Sequence, residues 1–236
     1  MRASVLVGLL LGFSFSVLPM TSQDADAVGG VRTQIVGIEI PAVANAPFTA
    51  KVLVTWNRPL VGGGTASRKY YTRVARDSQG RVRRETREFI PADSNAEPPL
   101  RTFTFLDPVS STRTVCNQST MSCVIGPFQA RVNLTADGDT LSGAGSNVPH
   151  ESLGQQTMLG LSVVGTRETV SDSQSSTLTR TDAWYSQDLQ MDLSVDRNSP
   201  QMGEVSLKVI ELARGEPDAS WFAVPSGYQV TGSRNQ

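Results

Sequence analysis

Catalytic side chains are scarce in this chain. One histidine, His150, is the whole supply, so a Ser-His-Asp triad would have to use it. It sits in Val148-Pro149-His150-Glu151, at the end of a polar loop, and reads as an ordinary loop-end residue. There is no Gly-x-Ser-x-Gly elbow and no Ser-x-x-Lys; the residues three before Lys51, Lys69 and Lys208 are Phe48, Ala66 and Val205. One histidine and two cysteines exclude a His/Cys metal framework. Gly62-Gly63-Gly64-Thr65 lacks the lysine of a phosphate loop. Asp137-Gly138-Asp139 lacks the later glutamate of a calcium loop and reads as a turn. Acidic residues are plentiful, but no two stand out as a glycosidase pair. The expectation is a protein that is not an enzyme and needs no metal or cofactor. The residual hydrolase reading would use His150 or an acidic pair.

Long apolar runs are also rare. The one present, Ala3 to Leu18, follows Arg2 and is shorter than the roughly 20 residues of a membrane span. Ala25-Asp26-Ala27 then offers small residues for signal peptidase. Residues 1–27 therefore read as a signal peptide cleaved near Ala27, leaving no stable membrane span. A periplasmic or extracellular protein is expected, with an N-terminal segment at 28–46 and a single domain at 47–236. The bacterial character of the signal discounts the glycosylation sequons at Asn117 and Asn133. Net charge is equally small: 21 basic residues stand against 22 acidic ones. A balanced chain has no global attraction to nucleic acid.

Cys116 and Cys123 are the only cysteines. In an exported chain, an even count at close spacing points to a disulfide. The bridge would close a hairpin loop, Asn117 to Ser122, and contribute about 2–3 kcal/mol on the loop-entropy model.

What the chain does have is strand chemistry. Phe48 to Trp56 alternates apolar and polar residues, as a half-buried strand does. Ser67 to Arg76, the turn Asp77-Ser78-Gln79-Gly80 and the return strand Arg81 to Ile90 form a long hairpin. Leu100 to Leu106 is a short strand, and the cysteine hairpin follows. Residues 135–149 form a long polar loop of the kind that is often functional or mobile. Strands return at Gly154–Met158, Leu161–Thr166, Ala183–Tyr185, Leu189–Val195 and Glu204–Leu212, with a serine-rich tip at Ser171 to Ser176. Any helix is short, at residues 92–98 or at Asp218–Phe222. The fold class is mainly β.

Residues 68–87 carry Arg68, Lys69, Arg73, Arg76, Arg81, Arg83, Arg84 and Arg87 against only Asp77 and Glu85. Pairing Arg76 with Arg81 would set Arg73 opposite Arg84, which is unfavourable without solvent or anions between them. Two readings stand. Arg73, Arg76, Arg81 and Arg84 form a patch for anionic ligands such as lipid headgroups or glycans, or the hairpin is a solvated edge that discourages aggregation.

The ending Phe222-Ala223-Val224-Pro225-Ser226-Gly227-Tyr228, the stretch Trp184-Tyr185-Ser186-Gln187-Asp188-Leu189 and the hairpin tip Arg76 to Arg81 resemble a group of uncharacterised secreted bacterial proteins. The architecture of that group is similar to the periplasmic lipoprotein-carrier (LolA-like) superfamily. The resemblance spans residues 47–230. It implies a strongly curved antiparallel sheet, a half-barrel with few short helices, covering an apolar concavity. It also implies a binding protein for an apolar or lipid-like ligand, such as an acyl chain or a lipidated peptide. The candidate lining is Val52, Val54, Trp56, Phe103 and Phe105. The 135–149 loop, the cysteine pair and the serine-rich tip depart from the carriers, and lid helices are not visible. The alternative is an envelope structural or protein-interaction module, contacting another envelope protein through the tips at 137–149 and 171–176.

Overall fold

A computed structural model describes residues 37–128, 150–171 and 177–232. The signal segment, the 135–149 loop with Asp137-Gly138-Asp139 and Asn133, and residues 172–176 of the serine-rich tip lie outside the described residues. Among those described, the strands are β1 (Phe48–Pro59), β2 (Thr65–Arg76), β3 (Val82–Arg87), β4 (Ile90–Pro91), β5 (Leu100–Asp107), β6 (Thr112–Asn117) and β7 (Ser122–Pro127). They continue as β8 (His150–Met158), β9 (Leu161–Ser171), β10 (Leu178–Ser186), β11 (Met191–Ser199), β12 (Gly203–Arg214) and β13 (Gln229–Thr231). The helical signal is realised at the second of its two candidate places, as a 3₁₀ turn at Ala219–Phe222 capped by Asp218, whose carboxylate accepts from the Ser220 amide.

All the strands join one sheet, in the order β13-β7-β6-β5-β3-β2-β1-β12-β11-β10-β9-β8, with β4 attached to β2. Every pairing is antiparallel except β13 on β7. The protein is thus mainly β, with one curved antiparallel sheet. Curvature follows from a single side chain. Arg76, at the end of β2, donates to the Leu189 carbonyl in the β10–β11 connection at 2.6 Å. Three strand spacings separate β2 from β11, about 14 Å on a flat sheet, beyond the reach of an arginine. Register shifts in the β1–β12, β3–β5, β8–β9 and β10–β11 pairs supply the bends, since a bulge increases local twist.

Side chains alternate between the two faces along each strand. On β1 the even positions Phe48, Ala50, Val52 and Val54 are buried. The β12 partners of Val52 and Val54, Val209 and Leu207, are buried with them, as is Val205 opposite Trp56. This is the inner face. It is covered near Phe48 by a strap, residues 37–46, which forms no regular strand and buries Ile38 and Ile40 while leaving Glu39 exposed.

The β2–β3 hairpin corrects the expected register. The Asp77 amide donates to the Arg81 carbonyl, so the loop has three residues, Ser78 to Gly80, and Gly80 takes a positive φ of 83°. Arg76 therefore faces Val82 and Arg84 faces Val74. A one-residue slip exchanges the faces of a strand, so Arg73 and Arg84 lie on opposite sides of the sheet rather than facing each other. The Asp77 carboxylate closes the turn, accepting from the amides of Gln79 and Arg81 and from Arg81 Nε at 2.5 Å.

Candidate functional site

The registers stack the inner face into rows. One row runs Val195–Leu207–Val54–Tyr70 across β11, β12, β1 and β2, and the next runs Arg197–Val205–Trp56–Arg68. The first is an apolar floor ending in a phenol. The second is a tryptophan between two exposed arginines. Phe89, just after β3, completes an aromatic group: its ring centroid is 4.7 Å from Tyr70, edge-on, and 5.9 Å from Trp56. All three rings are half-buried. Trp56 is fixed by its indole N–H, which donates to the Met202 carbonyl in the β11–β12 turn at 2.7 Å. Burial raises the Tyr70 hydroxyl above its ordinary range, and the nearby Arg84 opposes that shift. Arg84 reaches toward Gly37 of the strap, lying 3.8 Å from where a Cβ there would sit. Arg68, Arg84 and Arg197 have no ion-pair partner among the described residues.

Deeper inside, beneath the strap, lies a buried charged group. Arg76 is fully buried and donates to three carbonyls: Ala46 at 3.0 Å, Pro41 at 3.0 Å and Leu189 at 2.6 Å. Its guanidinium lies 5.0 Å from the Phe48 ring centroid. Burial lowers its pKa to about 10, with Tyr185 acting the other way, so it stays charged at neutral pH. Asp192 is 7% exposed, and burial, aided by the negative charge of Glu39, pushes its pKa up to about 6. β2, β10 and β11 thus each bring an ionisable group to this interior, and the exposed Glu39 of the strap acts on Asp192 from its rim.

The opposite face carries a second, smaller cluster at the other end of the sheet. Phe103, Phe105, Cys116 and Cys123 are buried there, with Leu100, Val224 and Tyr228 packed on them. The disulfide is present, joining residues that face each other on β6 and β7 with Cα atoms 4.0 Å apart. The C-terminal tail covers this face. Trp221 stacks on the Arg83 guanidinium at 5.0 Å, Phe222 on Arg81 at 5.0 Å, and Phe103 lies beyond Arg83 at 5.4 Å.

The nine candidate site residues therefore divide. Val52, Val54, Trp56, Arg76 and Arg84 share the inner face, whereas Phe103 and Phe105 sit in the outer cluster. Arg73 faces outward, and Arg81 is held by Asp77 under the tail. Neither candidate set is one surface. The five apolar residues belong to two clusters because β5 pairs with β3 so that its phenylalanines share a face with Arg83, not with Val82. The four arginines split because of the three-residue turn. Val52 and Val54 are at most 2% exposed, inside packed core. His150 opens β8 opposite Glu168. Among the described residues no three His, Cys, Asp or Glu side chains gather as metal ligands.

Ile38, Ile40, Tyr70, Phe89, Arg68 and Arg197 complete the inner face and were not singled out for it from the sequence. Alternation along Arg68-Tyr70-Thr72-Val74-Arg76 was the available signal for two of them. Phe89 and Arg197 join the site only through strand pairing.

No family model matches the sequence, and no curated protein does. Solved structures do resemble it. A chain of the Pseudomonas aeruginosa MucA/MucB complex is 12% identical, with a TM-score of 0.43, over 80% of this chain and 59% of that one. LprF from Mycobacterium bovis is 14% identical, with a TM-score of 0.33, over 76% of this chain and 89% of that one. A putative outer membrane lipoprotein-sorting protein domain from Vibrio parahaemolyticus is 9% identical, with a TM-score of 0.29, over 74% and 88%. The likeness is one of fold. The chain spans about three-fifths of the matched chain in the MucA/MucB complex. No helix among the described residues is long and apolar enough to cross a membrane.

Proposed function

We propose that this chain is an exported, non-enzymatic binding protein, periplasmic or extracellular once residues 1–27 are removed, whose domain holds an apolar or lipid-like ligand on its inner face. One observation carries the reading. The apolar floor Val54–Leu207–Val195 runs out to three half-buried aromatic rings, where core packing would otherwise close. A ligand enters past Trp56, Tyr70 and Phe89. To reach Val52 and Val54 it displaces Ile38 and Ile40, which stand in for it as apolar filling. The unpaired Arg84 and Arg68 would then face any polar end of the ligand.

The test is native mass spectrometry and lipid extraction of the protein purified from a membrane-containing host, followed by titration with a fatty acid while Trp emission is read. Co-purified lipid, and an emission change lost in Trp56→Phe, are expected. Repeated absence of lipid together with a flat titration contradicts the proposal. The second reading, an envelope structural or protein-interaction module, draws on the burial of Val52 and Val54, which leaves little free volume at the Phe48 end. A single specific protein partner, lost on deleting residues 137–149 or 171–176, would favour it.

A further inference from the structure

The end of the sheet that carries the aromatic rings has a second property. The β1–β2 hairpin closes through Leu60 to Gly64, tied by Leu60 N–H to the Gly64 carbonyl and Gly63 N–H to the Leu60 carbonyl, both at 3.1 Å. Gly62, Gly63 and Gly64 all take positive φ, and a Cβ at any of them would meet nothing within 4 Å. Against this open loop Leu60 is 50% exposed and Val61 wholly exposed. The pairing Trp56–Val205–Arg197–Thr181 brings the β9–β10 hairpin to the same end. That hairpin also exposes two apolar side chains, Val170 and Leu178. Four exposed large apolar side chains, Leu60, Val61, Val170 and Leu178, thus lie at this end of the sheet.

The β1–β2 hairpin itself carries charge of one sign. From Ile40 to Arg76 the chain contains no aspartate or glutamate. Within that stretch Lys51 pairs with Glu211 and Arg76 is buried, but Arg58, Arg68 and Lys69 have no ion-pair partner among the described residues. All three flank the Leu60–Gly64 loop, and Arg197 joins Arg68 in the same row. Glu204, which faces Asn57 from β12, accepts from Asn57 Nδ2 at 3.4 Å. An exposed apolar tip collared by unpaired cations matches the interface of a bilayer with anionic headgroups, in which apolar side chains enter the acyl boundary and basic ones stay at the phosphate level.

We infer that the Leu60–Val61 tip is a docking surface for an anionic lipid bilayer, set at the mouth of the inner face. The inference goes beyond ligand binding and does not depend on it. The folded protein is floated with vesicles of phosphatidylcholine containing 30% phosphatidylglycerol, and with vesicles of phosphatidylcholine alone. Binding is expected to the first and at least tenfold weaker to the second. It should fall steeply in 0.5 M NaCl, where the screening length is only a few ångströms. Leu60→Asp/Val61→Asp should abolish it. Arg58→Gln/Arg68→Gln should weaken it by roughly fivefold per residue. Both pairs lie on exposed positions, and unchanged circular dichroism would show that the fold is intact; an unchanged fatty-acid titration of Leu60→Asp/Val61→Asp would show the same for the inner face. Absence of vesicle binding overturns the inference, as would be seen if the tip met a protein instead. Equal binding to the two vesicle types, or binding undiminished by Leu60→Asp/Val61→Asp, also overturns it.

Discussion

The two faces of this sheet are closed in different ways. The outer cluster is sealed by covalent and repeated contacts: a disulfide, two arginine–aromatic stacks, the Tyr228 ring 5.4 Å from Phe103, and a final strand paired to β7. The inner face is larger, yet its cover is a strap without regular strand structure, anchored chiefly by one arginine. A short outer cluster of four buried residues needs staples. A broad inner core, spread over β1, β2, β3, β9, β11 and β12, is held by burial. The proposed binding role needs one face that stays shut and one that opens.

The contrast breaks most sharply at Arg76. Arg76→Met should remove both anchors of the strap and the tie to Leu189, taking the guanidinium donor from the buried Leu189 carbonyl and from those of Ala46 and Pro41; a loss of about 3 kcal/mol or more is expected in urea unfolding. If that substitution proves silent, the strap is not clamped by this residue. Next in size, Cys116→Ser/Cys123→Ser should cost about 2–3 kcal/mol. Hydrogen exchange should rise in β6, β7 and β13 and not in the strap.

Asp192 gives a smaller, pH-dependent effect. Its folded pKa of about 6 lies above the ordinary carboxylate value, so the folded protein binds this proton more tightly than the unfolded chain. Stability from this group is therefore lost as pH rises from about 4 to 6, and the full penalty applies above that window. Asp192→Asn should stabilise the protein by about 1–3 kcal/mol at pH 8 and by much less at pH 4. Thermal melts at the two pH values check the sign; an equal shift at both would show that charge is not the cause. The smallest effect concerns the tail. Trp221→Ala should cost about 1 kcal/mol, from the lost stack on Arg83 and its apolar contact. It should loosen the outer cluster without changing ligand titration.

The strands were legible because alternation is a local property. Phe48-x-Ala50-x-Val52-x-Val54-x-Trp56 announces a half-buried strand without any knowledge of its partners. The cysteine hairpin was legible for the same reason. Faces were less so. Phe103 and Phe105 read as buried, and they are, but which side they occupy depends on how β5 registers against β3 and on a tail more than 100 residues away. The turn at Asp77 was misjudged by one residue, because Gly80 closes a three-residue loop and Asp77 itself bonds across it. That single slip moves every arginine of β3 to the other face. The burial of Arg76 had no sequence signal at all. Arginine is seldom buried unless its donors are satisfied, and its acceptors come from two distant segments. The strap escaped notice because Ile38-Glu39-Ile40 is too short to show periodicity.

The central claim is that the inner face opens to admit an apolar ligand while the outer face does not. Hydrogen exchange with and without a saturating fatty acid tests it most directly. The account predicts faster exchange in residues 37–46, slower exchange in β1, β2 and β12 near Trp56, and no change in β5, β6 and β7. Unaltered exchange in the strap and in those three strands, or a response confined to the disulfide cluster, would contradict it.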